Sequence, residues 1–325
     1  MIKASAPSNI ALIKYMGKID SQSNIPSNAS LSFTLENLQT TVVIEKNNSK
    51  SDSWGPLTGS DFYNLQLSEK GVQKFLNHFA RLKKEFAIEG HYDVKSANNF
   101  PSDAGLASSA SSFAALTEAT FLLKKSADSD FTKSKVELAA LSRMGSGSSC
   151  RSFFTPWSIW DEKGAREIDI PIKNLIHKVF IYETSAKKVS SSEAHQRVVA
   201  SPLFAKDSSG FSRIERAESR LQNLLQAFTA NNWRQAYEIC WEEFWDMHEL
   251  FHTCNPSFTY LTDEVCDVLK KMKKKWDSEG RGPLITLDAG PNIHCLFREE
   301  DLDIFSSWEN EFTPKPKELV LESKK

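Results

Sequence analysis

The chain has 325 residues, 40% hydrophobic and 25% charged, enough for a large core and, by length, about two domains. Its 40 basic and 42 acidic residues give a net charge of −2, without the basic excess of a dedicated nucleic-acid binder, and no stretch approaches the ~18 continuous apolar residues of a membrane span. Five scattered cysteines with no C-x-x-C pair argue against a disulfide framework or a cysteine-zinc site, and with an N-terminus lacking a leader pattern they lead us to expect a cytoplasmic protein.

In chain order, the first 45 residues read as strands and turns. A polar loop from Asp20 to Asn28, with Pro26 inside it, precedes Ser30-Leu31-Ser32-Phe33-Thr34-Leu35, which alternates polar and apolar as a half-buried strand does. Thr40-Thr41-Val42-Val43-Ile44 is a β-branched run. Val72, Phe75, Leu76, Phe79, Leu82 and Phe86 recur at helical spacing over 69–86, and His91 to Ser96 reads as a strand. A small-residue loop, Asn98 to Ser112, runs into an apolar helix through Phe113, Leu116, Ala119 and Leu123. A second helix over Ser134 to Arg143 ends in another small-residue loop, Gly145 to Ser149.

Strand-like Ile159-Trp160 and Val179 to Tyr182 follow, then a helical pattern from Ser212 to about His252 and a helix over 262–277. Pro283 to Leu287 reads as a strand entering the loop Asp288-Ala289-Gly290-Pro291-Asn292. A strand-rich first half and a helix-heavier second half predict an α+β protein divided near 175–185, with domains 1–180 and 181–325. The three small-residue loops could then meet in the crevice between the halves. Trp233, Trp241, Phe244 and Trp245 form an aromatic helix stripe, the mark of core or subunit packing. Lys270-Lys271-Met272-Lys273-Lys274-Lys275 is the dense basic block and reads as a solvated helix face.

The strongest chemical signal is Pro101-Ser102-Asp103-Ala104-Gly105-Leu106-Ala107-Ser108-Ser109-Ala110. Small residues let backbone approach a ligand closely, and the segment opens a helix whose first N–H groups are unpaired at the positive end of the dipole. That makes an anion site, to which the Ser108 and Ser109 hydroxyls add hydrogen bonds or magnesium ligation. In the second loop, Gly145 to Ser152, the Arg151 fork suits a planar carboxylate, and Ser146 and Ser148 add neutral donors. Lys14 and Lys18, beside Tyr15, would face one side of a strand and could hold a diphosphate. Asp288 supplies a carboxylate at a strand end.

The pattern P-x-x-x-G-L-x-S-S-A resembles the phosphate loop of the GHMP kinase superfamily and lacks the Walker A order. The sugar and mevalonate kinases of that superfamily typically place an aspartate base in the second loop, where this chain carries Arg151. S-G-S-x-x-R at 146–151 paired with D-A-G-P-N at 288–292 resembles the diphosphomevalonate decarboxylase family. Asn9 to Lys18, Asn98 to Ala110, Val189 to Ser192, and Phe251 to Phe258 fit it as well, so the resemblance spans nearly the whole chain. Two positions depart from the family: Met16 replaces a tryptophan, and Asp103 adds a negative charge to the phosphate loop.

The resemblance implies a GHMP kinase fold, with an N-terminal ribosomal protein S5 domain 2-like and a C-terminal ferredoxin-like domain flanking a deep cleft. It implies MgATP-dependent phosphorylation of the tertiary hydroxyl of mevalonate 5-diphosphate, then loss of phosphate and CO2 to give isopentenyl diphosphate. Carried onto this sequence, Asp288 would orient or deprotonate the hydroxyl, Lys14 would stabilise negative charge, and Arg151, assisted by Ser146 and Ser148, would hold the carboxylate. Tyr15, Lys18 and Ser191 or Ser192 would hold the diphosphate, and Gly105, Leu106, Ala107, Ser108 and Ser109 would cradle ATP, with Mg2+ at Ser108 or Ser109. A homodimer is implied too. The rival readings are a GHMP small-molecule kinase that stops at phosphorylation, a mevalonate 5-phosphate decarboxylase, a silent GHMP-fold sensor, and a zinc protease. The last rests on His248-Glu249-Leu250-Phe251-His252, which matches H-E-x-x-H, although Asn255 and Phe258 break the metzincin extension.

Overall fold

The computed structural model describes residues 1–20, 22–63, 65–101, 108–183 and 188–314. Strand β1 (Ile2–Ile13) leads into a small antiparallel pair, β2 (Lys18–Asp20) with β3 (Ile25–Pro26), of which β3 lies inside the expected polar loop and β2 runs up to its start. The two runs at 30–35 and 40–44 are not separate strands. They are the halves of one long strand, β4 (Ser30–Asn47), and the register slips by a bulge at Pro7/Ser8 of its partner β1.

Along its other edge β4 pairs with two strands in turn. Its C-terminal half takes β6 (His91–Asn98), which is flanked by the short parallel β5 (Ser53–Pro56). Its N-terminal half takes β7 (Trp157–Asp161), which is flanked by β8 (Gly164–Glu167). Against this sheet pack α1 (Glu69–Glu85) and α2 (Ser108–Ala127), burying Phe75, Phe79, Leu82, Phe113 and Leu116. Helix α3 (Lys135–Arg143) starts where expected because Ser134 and Glu137 form a reciprocal capping box. It runs into a 3-10 turn, Gly147–Phe153.

The second sheet is β10–β11–β9, made of β9 (Leu175–Phe180), β10 (Leu284–Thr286) and β11 (Ile293–Arg298). Strand β9 begins four residues ahead of the expected Val179, because its register is set by β11, from Leu175 opposite Arg298 to Phe180 opposite Ile293. Between β9 and β10 come α4 (Ser191–Arg197), α5 (Pro202–Ala205), α6 (Arg213–Thr229), α7 (Trp233–Thr253) and α8 (Asp263–Glu279), and α9 (Leu302–Phe312) follows β11.

The continuous pattern expected over 212–252 is broken into two helices. Asn231 takes a left-handed φ of 51°, and Asn232 caps α7 by accepting from the Gln235 N–H. Trp233 and Phe244 are buried on α7, and Trp241 and Trp245 lie partly buried against the same core, so the aromatic stripe is packing. That core is continuous across both sheets, joining Leu12, Leu31 and Trp157 to Phe228, Leu284 and Cys295. The basic block lies on α8 with Met272 buried and Lys270 and Lys273 in exposed ion pairs. Among the described residues, no helix is long and apolar enough to cross a membrane.

Candidate active site

Three features converge where the sheets meet: the end of β1, the 145–151 segment and the loop after β10. Between them lies a cavity of about 540 Å³. Among its described lining residues Lys14, Lys18, Lys74 and Arg151 are cationic, and Asp288 is the sole carboxylate. Ser109, Ser146, Ser148, Ser191 and Ser192 add hydroxyls. The space is therefore built for a small, highly anionic molecule, although the chain as a whole is nearly neutral.

At its floor, Lys14 Nζ donates to Asp288 Oδ1 at 2.6 Å. Burial alone would push the Asp288 carboxyl up, but Lys14, with His294 and Arg151, holds it below its usual value, so it is ionised at neutral pH. Burial lowers the Lys14 ammonium, and Asp288 opposes that. The Lys14 backbone is fixed from behind: its N–H donates to Glu243 Oε1 at 2.9 Å and its carbonyl accepts from Arg213 Nη2 at 2.9 Å. Arg213 and Glu243 are both fully buried and paired to each other. This support on α6 and α7 was missed at the sequence level.

Arg151, 4% exposed, is held through two of its three guanidinium nitrogens. Its Nε donates to Asn9 Oδ1 at 3.1 Å and its Nη1 to Ser30 Oγ at 2.9 Å, and among the described residues Nη2 has no hydrogen-bond partner. Asn9 is itself fixed by donating to Ser152 Oγ at 2.9 Å. Tyr15 stacks on His195 at 4.4 Å and meets Trp160 edge-on at 4.6 Å. Burial raises its phenol, which stays protonated and can donate. Gly147 is required here, since an added Cβ would stand 2.6 Å from Tyr15 Oη.

Lys18 Nζ donates to Asn24 Oδ1 at 2.7 Å, and Ser191 and Ser192 stand on α4 at the cavity mouth. The Ser146 hydroxyl donates to Ser109 Oγ at 3.4 Å, joining the start of α2 to the second loop. The first turn of α2 is pinned to the large sheet by Ser111, whose hydroxyl lies 2.6 Å from Thr40 Oγ1. Ser108 begins α2 but is not on the cavity wall. Gly105, Leu106 and Ala107, with Asp103, lie outside the described residues. Met16, the departure in the N-terminal motif, is buried in a small cluster with Val189, Met247 and Phe251. Lys74, His195 and Gln196, also on the wall, had no motif to mark them.

The H-E-x-x-H histidines do not share a ligand position. His248 is fully buried, edge-on to Phe251 at 5.3 Å, whereas exposed His252 sits 3.0 Å from the Thr259 hydroxyl. Among the described residues no group of three His, Cys, Asp or Glu is placed to hold a metal ion. An oxygen site of the magnesium type is compatible with the Ser109 hydroxyl, since Mg2+ is held mostly by phosphate oxygens and water.

Residues 6–169 match the diphosphomevalonate decarboxylase-like N-terminal domain, and residues 178–324 match the mevalonate 5-diphosphate decarboxylase C-terminal domain. The chain belongs to the diphosphomevalonate decarboxylase family. Diphosphomevalonate decarboxylase of Schizosaccharomyces pombe is 30% identical to it, over 92% of this chain and 79% of that one. The mevalonate diphosphate decarboxylase of Legionella pneumophila is 44% identical and superposes with a TM-score of 0.88 over 95% of this chain and 96% of that one. A structure of the protein MDDEF in complex with MVAPP, AMPPCP and magnesium is 26% identical, with a TM-score of 0.83 over 96% of this chain and 93% of that one. The architecture of this diphosphomevalonate decarboxylase family member is thus the two-domain α+β GHMP kinase fold.

Proposed function

We propose that this cavity binds mevalonate 5-diphosphate and MgATP and converts them to isopentenyl diphosphate, ADP, phosphate and CO2. One observation carries the reading: Arg151, whose Nη2 has no partner among the described residues, and the Lys14–Asp288 pair line one cavity with the start of α2. A substrate with its carboxylate on Arg151 and its diphosphate toward Lys18, Tyr15, Ser191 and Ser192 would place its tertiary hydroxyl near Asp288. The complex of MDDEF with MVAPP, AMPPCP and magnesium supports the choice of ligands. Ser146 and Ser148 would assist Arg151. Ser109, with Ser108 and the segment Gly105, Leu106 and Ala107, would receive the ATP phosphates. When bound, Mg2+ neutralises charge on the transferring phosphoryl group.

Because Asp288 is held ionised by Lys14, it is a weak base toward an alcohol. Its larger contribution is electrostatic: a fixed carboxylate beside the carbon from which phosphate departs stabilises the positive charge that builds there. Lys14 acts at the same place with opposite sign, on the charge of the phosphoryl group. We place the domain division at the start of β9, ahead of 180/181, because β9 hydrogen-bonds into the second sheet. The free, scattered cysteines support a cytoplasmic setting, and the homodimer is proposed from the family resemblance alone.

Incubation with MgATP and either mevalonate 5-diphosphate or mevalonate 5-phosphate, with CO2 and ADP both measured, tests the reading. CO2 release with clear preference for the diphosphate is expected. ADP formation without CO2 would identify a kinase, and preference for the monophosphate would reassign the substrate. In the same assay Gly147→Ala should raise KM for the substrate about tenfold, because Tyr15 is wedged between Trp160 and His195 and has little room to retreat. An unchanged KM would remove Tyr15 from substrate binding.

A further inference from the structure

We propose that His195 is a substrate-binding residue, a neutral donor whose Nε2–H bonds an oxygen of the substrate's diphosphate. This rests on the function proposed above and adds a residue that no motif marked. His195 lies on α4, is 8% exposed, and is one of the residues that line the cavity. Its Nδ1 accepts the backbone N–H of Gly17 at 3.2 Å. A ring nitrogen that accepts carries no proton, so the neutral imidazole must hold its proton on Nε2.

Among the described residues that Nε2–H has no hydrogen-bond partner, and His195 lines the cavity, so the cavity is where a ligand oxygen could meet it. Burial, with Lys18 and then Arg151 nearby, pushes the imidazole pKa down to about 3, which keeps the ring neutral and this tautomer fixed. The ring cannot turn away freely, because it stacks on Tyr15 at 4.4 Å with an interplanar angle of 25°.

The ligand chemistry follows from the neighbours. Gly17 precedes Lys18, and Ser191 and Ser192 open the same helix as His195, so the donor stands among the residues assigned to the diphosphate. A fixed N–H that can only donate suits an ionised phosphate oxygen, which can only accept and makes the stronger bond. The Gly17 end is equally constrained. Its φ is +89°, and an added Cβ would lie 2.8 Å from the Phe204 ring, so the N–H that sets the tautomer is held by the backbone itself.

Three variants separate donation from mere packing. His195→Phe keeps the stacked ring and removes both nitrogens. His195→Asn retains an acceptor near the Nδ1 position but has no donor at Nε2. His195→Gln places an amide N–H near Nε2 and lacks the Nδ1 acceptor. The expected result is a KM for mevalonate 5-diphosphate raised roughly 10- to 100-fold in His195→Phe and His195→Asn, as for loss of a hydrogen bond to a charged group. His195→Gln should recover most of the loss, with kcat within about threefold and KM for ATP unchanged throughout. Recovery by asparagine and not glutamine would assign His195 a purely structural tie to Gly17, and an unchanged KM in His195→Phe would overturn the proposal outright. Wild-type protein that fails to release CO2 from the diphosphate would instead sink the function on which the inference rests, so the two failures are distinguishable.

Discussion

Asp288→Asn is expected to lower turnover of mevalonate 5-diphosphate by about 10³-fold while leaving substrate and nucleotide binding within severalfold of wild type. Asparagine keeps the shape and can still accept from Lys14 Nζ, now 2.6 Å from the carboxylate, but it removes the only negative charge that the described residues bring to the cavity. The ground-state substrate is an anion and gains nothing from that charge. The transition state for phosphate departure, cationic at carbon, does. The loss therefore falls on kcat and not on KM.

Lys14 and Asp288 act as a pair, so Lys14→Met introduced into Asp288→Asn should cost less than Lys14→Met alone. Equilibrium binding of substrate and single-turnover CO2 release check both statements. Equal turnover by Asp288→Asn and wild type would take Asp288 out of the chemistry.

The largest stability effect is expected at Glu243. Its side chain is fully buried, pairs with Arg213, also accepts from Arg220 Nη1 at 3.1 Å, and receives the Lys14 N–H. Glu243→Leu leaves a buried guanidinium with Asp246 alone and strips the Lys14 N–H of its acceptor, for a loss of about 3–5 kcal/mol by the usual cost of breaking a buried ion pair. Glu243→Gln retains the acceptor and should lose less. Activity should fall further than stability explains at temperatures where Glu243→Leu is still folded, because the strand end carrying Lys14 and Tyr15 is no longer fixed. Denaturant unfolding and kcat on the same samples separate the two effects, and a Glu243→Leu protein as stable as wild type would refute the role given to the network.

The same network sets a pH sign. Burial alone would raise the Asp246 carboxyl, but Arg216, Arg213 and Arg220 hold it well below the ordinary value. A depressed folded-state pKa contributes stability above the unfolded value of about 3.9, and that contribution is lost as pH falls toward the folded value. Asp246→Asn should therefore flatten the acid limb of the stability curve, with the gap to wild type closing as pH is lowered.

Much of the candidate site was legible because its parts are local. The loops at 145–151 and 288–292 and the 14–18 segment each declare their chemistry within a few residues, and small residues together with a lone arginine or aspartate are rare enough to notice. What holds them was not legible. Glu243 is 229 positions from the Lys14 N–H it accepts, and Asn9 is 142 from the Arg151 Nε it orients. Such partners are ordinary charged or amide residues until the chain folds.

The secondary-structure misreadings have the same origin. The 30–35 and 40–44 runs fuse into β4 because β1 pairs along both, and β9 starts early because β11 lies beside it, pairings that no local pattern encodes. The break at Asn231 falls on an Asn-Asn pair, a local turn signal inside a run that is helical in period on both sides. His195 was invisible for another reason: its meaning lies in which nitrogen the backbone of Gly17 occupies.

The most direct test of a single shared site is the structure of this protein with mevalonate 5-diphosphate, a non-hydrolysable ATP analogue and magnesium bound together. The substrate carboxylate should lie on Nη2 of Arg151 and its tertiary oxygen within hydrogen-bond reach of Asp288, pointing at the terminal phosphoryl group near the start of α2. A substrate bound with its carboxylate away from Arg151, or with Asp288 facing no part of it, would contradict the account.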